Sequence, residues 1–326
     1  MLSYILRRLL LLIPMAAGMV IVTFGLLLII PGDPASVLLG QDASAEAIAA
    51  LRTSLGLNDP WYLRLGHYFL KLLQGDMGRS IFQNQSVAEI IAGRLGATIE
   101  LAIVALVLAT IIGMVLGVVA AIRQGSWVDT ATMLFAQLGV SMPVYWLGLL
   151  LMLLFAVTLG WLPAIGRGTP LPQALIEALS GDPAILWDSL KHLFLPAFAL
   201  AVNSAAIISR LVRTAMVEAL RQDFVRTAYS KGLRRGRVII RHALRNALLP
   251  VLSIIGLRFG ALLGGAVITE TIFAWPGLGQ LTIAAISQRD LPLIQGIVLT
   301  FALIFALVNL IVDLLYAAVD PRIRLG

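Results

Sequence analysis

The sequence predicts an all-α protein whose helices cross a membrane six times. Of its 326 residues, 60% are hydrophobic and only 13% are charged, whereas a soluble domain has about 25% charged residues. Six apolar stretches reach the length of about 20 residues that a helix needs to cross roughly 30 Å of hydrocarbon. They cover residues 9–30, 99–122, 130–158, 193–213, 249–272 and 293–318.

The distribution of Lys and Arg predicts the orientation of these spans. Cytoplasmic loops are enriched in cations, and 15 of the 24 Lys and Arg residues fall in alternate connections that include both chain ends. Eight others are spread over the longer segments 31–98, 159–192 and 273–292, and the last, Arg258, lies inside the fifth span. Both termini are therefore predicted to be cytoplasmic. Because the positive charge serves orientation, nucleic acid is not predicted as a partner.

The first apolar stretch is predicted to be a retained span, with residues 1–30 forming the cytoplasmic N-terminus and first helix. It follows Arg7 and Arg8 as a signal peptide would, but its 22 residues exceed the 7–15 of a signal sequence. Residues 31–98 then form a predicted extracytoplasmic helical cap, because apolar residues recur at helical spacing over 48–55 and 61–72. This cap docks a solute-delivering protein, shapes an outer vestibule, or packs at the membrane interface.

The remaining five spans form a predicted core over residues 99–318, followed by a cytoplasmic tail at 319–326. Pro143 is expected to kink the third span, because proline lacks the donor of a helical hydrogen bond. Three glycines at 256, 260 and 264 permit close helix approach, and a role in a closing gate is the alternative explanation for them. Trp275, next to Pro276 and Gly277, is expected to anchor a tight turn at the membrane interface.

A basic cytoplasmic loop at 214–248 interrupts this core. Residues 210–245 hold ten Lys and Arg and two acidic residues. One helix is predicted from Thr214 to Lys231, ended by Gly232, since glycine readily takes the left-handed conformation past a helix. A second is predicted from about 235 to 248, with a row of arginines at 237, 241 and 245. These two short helices either dock into a groove of a partner protein or lie on anionic lipid.

Polar residues inside the spans are candidates for a translocation path or gate. Arg258 and Glu270 are 12 residues apart, about 18 Å along one helix, so they cannot pair with each other. Arg258 either pairs with Asp313 of the sixth span or meets a cargo carboxylate. Further polar candidates for the path are Gln137, Ser141, Asn203 and Ser204, and hydrogen bonds between helices are the alternative explanation for them.

No residue pattern predicts catalysis or a metal site. The three histidines are scattered, the chain has no cysteine, and neither Ser44 nor Ser141 has a base nearby in sequence. The phosphate-binding pattern G-x-x-x-x-G-K-[ST] is also missing. ATP is therefore not expected to bind this chain in the usual way, and no cofactor is predicted for it.

The basic loop resembles the signature of binding-protein-dependent ABC importer permeases. That signature is a Glu-Ala-Ala triplet, three residues, a glycine and a later Ile-x-Leu-Pro ending. Ala228 and Gly232 occupy their positions here, whereas Arg226 and Thr227 replace the first two, and Pro250 lies five residues later than in the general pattern. The sequences Arg-Thr-Ala-Tyr-Ser-Lys-Gly-Leu at 226–233 and His-Ala-Leu-Arg-Asn-Ala-Leu-Leu-Pro at 242–250 are similar to the peptide-permease branch.

Other segments along nearly the whole chain resemble the same branch, which includes dipeptide, oligopeptide, glutathione and nickel permeases. Their order and spacing carry the resemblance. They are Pro-Gly-Asp-Pro at 31–34, Gly-Asp-Met-Gly at 75–78, Ser-Met-Pro at 141–143, Thr-Glu-Thr-Ile-Phe-Ala-Trp-Pro-Gly-Leu-Gly at 269–279, and Asp-Pro-Arg-Ile-Arg at 320–324.

The resemblance implies a type I importer permease in a bacterial or archaeal inner membrane. It would form half of a peptide pore with a second, homologous permease, on two ATPase subunits that carry ATP and Mg, and an extracytoplasmic binding protein would deliver the solute. The residues implied in coupling to the ATPases are Arg226, Thr227, Ala228, Lys231, Gly232, Leu233 and Arg237. The alternative is a secondary transporter driven by an ion gradient, against which the sequence offers no visible inverted repeat.

Overall fold

The chain is all-helical over the residues that the structure, a computed structural model, describes: 2–29, 34–40, 43–54 and 56–319. This part of the chain contains no strand, and an isolated bridge joins Arg79 to Ser86. The predicted all-α class is thus confirmed. The predicted tail beyond residue 319 and the side chains of Arg7, Arg8 and Asp313 lie outside the described part.

Fourteen helices follow one another along the described residues. The helices of the N-terminal third are α1 (Leu2–Ile29), α2 (Pro34–Leu39), α3 (Ala45–Ser54), α4 (Trp61–Leu73) and α5 (Val87–Ile122). The middle holds α6 (Trp127–Ser141), α7 (Val144–Leu151) with a π-helical continuation Met152–Thr158, α8 (Leu171–Leu179) and α9 (Pro183–Leu220). The last part holds α10 (Asp223–Ser230), α11 (Arg235–Arg237) with a π turn Val238–Leu244, α12 (Arg245–Ile272), α13 (Leu278–Gln288) and α14 (Leu291–Val319).

Four described helices are long and apolar enough to cross a membrane. They are Val87–Ile122, Pro183–Leu220, Pro250–Ile272 and Leu291–Ile311. A broken pair, Trp127–Ser141 with Val144–Thr158, makes a fifth if it counts as one span, and α1 contributes a shorter apolar stretch, Ile13–Gly25. The chain is therefore a multi-pass protein, and the count of six spans stays a prediction.

The third predicted span is broken rather than kinked. Its two helical pieces meet at Met142 and Pro143 with a bend of 105°. Met142 has an extended backbone, with φ −76° and ψ 126°, because the residue before a proline is kept out of the helical region. The proline was predicted to bend this span, and the bend is larger than a kink within one helix.

The described residues divide into two compact units. The small unit comprises Met1–Gly96 and Pro276–Leu307, and the large unit comprises Ala97–Trp275 and Val308–Gly326. In the small unit, apolar side chains of α5, α13 and α14 form a core around Val87, Ile91 and Leu293. There the buried Asp290 accepts a hydrogen bond of 2.5 Å from Ser80 Oγ and another of 3.4 Å from Phe82 N–H, which ties residues 80–82 to the start of α14.

In the large unit, α9 is the central helix, and α6, α7, α8 and α12 pack against it. The part of α5 within this unit turns small residues inward and large ones outward. Gly113 and Gly117 meet α9 so closely that an added Cβ would lie 2.7 Å from Ile208 and 2.6 Å from Val212. The outward residues Ile103, Val107, Ile111 and Val115 are exposed at four-residue steps. This arrangement is typical of helices packed in a bilayer, where small residues allow backbones to approach.

Candidate functional site

The basic loop differs in two ways from the predicted pair of short helices. The helix predicted from Thr214 to Lys231 is interrupted, because α9 ends at Leu220 and α10 begins at Asp223. The second predicted helix, 235–248, is not separate. It begins at Arg235, passes through the π turn and continues directly into α12, since Leu244 keeps helical dihedral angles. Four-residue spacing in the sequence does not reveal either feature, because both preserve a nearly helical pattern.

The end of α10 is fixed by its backbone. Gly232 has φ +75°, and its N–H donates to Tyr229 O at 2.9 Å, while Leu233 N–H donates to Ala228 O at 3.3 Å. These two bonds form a Schellman motif, in which a left-handed glycine satisfies the last carbonyl groups of a helix. An added Cβ at Gly232 would meet no atom within 4 Å. The site therefore requires glycine for its dihedral angle and not for space.

One face of α10 is held by a small hydrophobic cluster. Val225, Ala228 and Val238 are buried together, and Leu233 packs against them. This contact joins α10 to the π turn that leads into α12. Ala228 is thus an internal contact of the loop.

The other face of α10 is open and carries charge and aromatic surface. Arg226 and Asp223 form a 3.9 Å ion pair in which the side chains are 82% and 96% exposed. Phe224, Tyr229 and Lys231 are also exposed. Exposed ion pairs contribute little to stability, so the fold does not depend on the pairing of Arg226 with Asp223. The exposed side chains on this face are therefore available to another molecule.

A buried ion pair holds the part of α9 that precedes α10. Arg213 donates to both carboxylate oxygens of Asp129, at 2.5 and 2.6 Å, and Gly125 N–H donates to the same carboxylate at 3.0 Å. Asp129 is 5% exposed. A bidentate arginine pair of this kind fixes direction as well as distance. The start of α6 and the last turns of α9 are consequently fastened to each other.

Several of the polar candidates lie together where α6 meets α9. Asn203 Nδ2 lies 3.5 Å from Val140 O, Ser141 Oγ donates to Gln137 O at 2.9 Å, and Arg210 Nη1 lies 3.3 Å from Gln137 Oε1. Gln137, Ser141 and Arg210 are exposed. Arg210 was not among the candidates, although it lies two helical turns after Asn203 and therefore on the same face.

Arg258 and Glu270 lie in different surroundings from that group. Glu270 is completely buried and accepts a 2.7 Å hydrogen bond from Thr98 Oγ1. Arg258 is half-buried, and its Nε has no hydrogen-bond partner among the described side chains. The predicted pairing of Arg258 with Asp313 concerns a side chain outside the described part.

A buried polar cluster near Glu270 was not found from the sequence. Arg167 donates to Glu100, whose other oxygen accepts from Leu171 N–H at 3.2 Å. The Arg167 guanidinium also lies 5.8 Å from the ring centroid of Trp275. Trp275 is completely buried and donates to Ala97 O at 2.9 Å, so the prediction of an interfacial anchor was wrong. A tryptophan at a span end suits either environment, and only long-range contacts decide.

Comparison with known proteins assigns this chain to a transport family. Residues 113–325 match the family described as binding-protein-dependent transport system inner membrane component, and residues 1–102 match the N-terminal part of such components. The dipeptide transport system permease protein DppB of Alkalihalophilus pseudofirmus is 49% identical over 99% of this chain and 100% of its own length. The glutathione transport system permease protein GsiC of Salmonella choleraesuis is 40% identical over 99% of both chains.

Among solved structures, an inward-facing MetNI methionine ABC transporter contains a chain with a similar fold. The TM-score is 0.55 at 18% sequence identity, over 72% of this chain and 97% of that one. This likeness concerns the fold alone.

Proposed function

We propose, on the premise that this chain belongs to the family of binding-protein-dependent transport system inner membrane components, that it forms half of a pore for small peptides. It is a permease subunit of an ABC importer and a multi-pass inner membrane protein. Peptide cargo is supported by the relatives named for dipeptide and glutathione transport, which match over 99% of the chain.

The proposed assembly follows from this membership. ATP-binding subunits and a solute-binding protein belong to such importers. We propose two ATP-binding subunits, which carry ATP and Mg, and a second homologous permease that completes the pore. Both termini and α10 would then lie on the cytoplasmic side, where ten cations are gathered between residues 210 and 245. The segment between α1 and α5 would face the binding protein.

The observation that carries the coupling proposal is the division of α10 into a held face and an open face. Its held face packs on the π turn through Ala228 and Leu233, and its open face presents Arg226, Thr227 and Lys231. A movement imposed on the open face would therefore pass through the hydrophobic cluster into Arg237 and α12. This is a rigid-element transfer of the kind found in hinge and shear transitions.

The proposed path through the membrane follows the polar group on α6 and α9. Gln137, Ser141 and Asn203 share that group with Arg210, and two helices otherwise rich in apolar residues gain an exposed polar surface there. Exposed polar side chains are costly against lipid, so a water-filled path is the better environment for them. Arg258 is a second candidate for this path. Glu270 is proposed to hold helices together, because it is fully buried.

The experiment that tests coupling uses two glycines of the loop. Gly232 and Gly236 both have open space where a Cβ would be added, but only Gly232 has a positive φ, which valine strongly disfavours. The importer would be assembled in proteoliposomes with its ATP-binding subunits and binding protein. Uptake of a labelled dipeptide and peptide-stimulated ATP hydrolysis would both be measured.

We expect Gly232→Val to reduce uptake about five- to thirtyfold while membrane insertion persists, because a left-handed conformation costs a residue with a side chain roughly 1–2 kcal/mol. Gly236→Val is the control and should transport at nearly the normal rate. Equal transport by the two variants would contradict the coupling role. Uptake without any ATP-binding subunit would contradict the importer function, and uptake of glutathione or a nickel complex in place of dipeptide would change only the cargo.

A further inference from the structure

A cavity of about 1660 Å³ lies within the small unit. Its walls come from α1, the segment from α3 to residue 81, the end of α13 and the start of α14. Pockets for small molecules commonly have about 300–1,000 Å³. The size therefore favours an occupant larger than a dipeptide. The function proposed above makes no use of this cavity.

The cavity is lined by an excess of positive charge. Two lining residues are acidic, Asp59 and Asp76, and five are cations. The five cations are Arg52, Arg64, Lys71, Arg79 and Arg289. They are five of the eight Lys and Arg residues that the sequence places on the outer side. Because cations are generally sparse on that side, their concentration in one cavity requires a local explanation, and a negatively charged occupant supplies it.

Two lining groups are partly withdrawn from water in a way that suits an anion. The Arg64 guanidinium lies 5.7 Å from the ring centroid of Phe24, and burial lowers the pKa of Arg64 while the nearby Asp59 offsets part of that effect. The Tyr68 hydroxyl is buried without a hydrogen-bond partner in the described part of the chain. Burial raises the pKa of Tyr68 to about 12, so its O–H remains a donor at neutral pH. A buried donor without a partner is costly, and a bound acceptor would remove that cost.

The other walls of the cavity are apolar and belong to predicted spans. Met19, Val22 and Phe24 lie on α1, and Ile294 and Val298 lie on α14. An occupant that satisfies all walls has an anionic group for the cations and hydrocarbon for these side chains. A peptide suits them less well, because its ammonium group would meet five cations and only two carboxylates.

We propose that this cavity binds an anionic phospholipid of the outer leaflet, with the headgroup phosphate among Arg64, Arg289 and Tyr68 and the acyl chains along α1 and α14. Arginine suits phosphate because its planar fork can donate two parallel hydrogen bonds. The bound lipid would thus join the segment that follows α1 to the start of α14. Phosphatidylglycerol is the probe we would use for this site.

The test measures lipid retained by the assembled importer in mild detergent, using native mass spectrometry after exposure to phosphatidylglycerol or phosphatidylcholine. We expect the wild-type protein to retain phosphatidylglycerol preferentially. The double variant Arg64→Gln/Arg289→Gln should retain at least tenfold less of it. Arg94→Gln is the matched control, because Arg94 carries the same charge on the predicted outer side but does not line the cavity.

Tyr68→Phe provides a variant that preserves the fold, since it removes only a hydroxyl without a partner in the described part. It should reduce phosphatidylglycerol retention about tenfold, the effect of losing a hydrogen bond to a charged group. The lipid-free protein should be at least as stable to heat as the wild type, because the hydroxyl has no partner to lose in the described part of the chain. If the double variant does not assemble, this variant decides.

Four outcomes would overturn the proposal. The first is equal retention of phosphatidylglycerol by wild type and variants. The second is retention of phosphatidylcholine by the wild-type protein as strong as its retention of phosphatidylglycerol. The third is full displacement by soluble glycerol 3-phosphate, which would identify a site for a free phosphate compound. The fourth is full displacement by a dipeptide, which would identify a site for cargo. Dipeptide transport itself is measured separately, so failure of the lipid proposal leaves the proposed function intact.

Discussion

The outer end of the large unit and the helix α10 hold their charged residues in opposite ways. At the end predicted to face outward, Glu100 and Arg167 are paired, largely buried and covered by Trp275. At the end predicted to be cytoplasmic, Arg226 and Asp223 are paired on the open face of α10, almost completely exposed. Because the first pair is buried, removal of one partner leaves the other charge uncompensated, whereas water already solvates both charges of the second pair. The buried pair thus holds the outward end of the large unit together, whereas the exposed face of α10 is available for contact with another protein.

The largest effect that follows from this difference is the loss of the buried pair. Glu100→Gln should lower the free energy of unfolding by about 3–5 kcal/mol, because it leaves the Arg167 guanidinium buried without its counter-charge. Thermal unfolding in detergent would measure it. Glu89→Gln, on the exposed face of the same helix, is the control and should change stability little. A cost at Glu100 no greater than at Glu89 would remove the distinction between the two ends.

An intermediate effect is expected between these ends, where α5 and α9 touch. Gly117→Ala should cost about 1–3 kcal/mol, since the new Cβ would lie 2.6 Å from Ser209 O and from Val212 Cβ. Gly264→Ala is the matched variant on α12, where an added Cβ meets no atom within 4 Å. It should leave stability unchanged or raise it slightly, because alanine is the better helix former. The same unfolding experiment compares the two, and an equal cost would contradict the close approach at Gly117.

The smallest effect on stability is expected at the open face of α10. Arg226→Gln should leave thermal unfolding unchanged, because its pair with Asp223 is exposed and long. Peptide uptake should nevertheless fall several-fold, because the guanidinium is available to a partner subunit. Arg123→Gln is the control, because Arg123 is also exposed but lies outside α10. Arg52, another exposed arginine, is less suitable because it lines the cavity. A loss of stability without a loss of uptake at Arg226 would reverse the comparison between the ends.

The features that sequence predicted correctly are local ones. Gly232 ends a helix as expected, because a left-handed glycine and the hydrogen bonds around it involve only residues 228–233. A bend at Pro143 was likewise indicated by the chemistry of one residue, although the bend is a break of 105° and not the predicted kink. In both cases the backbone of a few neighbours decides the structure.

The features that sequence could not supply depend on partners far along the chain. Arg167 and Glu100 are 67 residues apart, and neither residue type predicts the other. Three glycines at 256, 260 and 264 were predicted to permit close helix approach, whereas Gly264 has open space, and close approaches to α9 lie instead at Gly113 and Gly117. Spacing permits such a contact but does not select the helix that makes it.

The π turn at Val238–Leu244 leaves one uninterrupted helical rod from Arg235 to Ile272. A π turn contains one residue more than the α-helical turn it replaces, so it is the structural form of a single-residue insertion. Deleting one residue from it would restore α-helical geometry and rotate everything before it by about 100° around the rod. The cluster of Val225, Ala228 and Val238 would then face a different side of α12. The rotation of α10 about the axis of α12 is therefore set by the number of residues in this turn. Insertions and deletions there would change that rotation in steps of about 100° and not gradually.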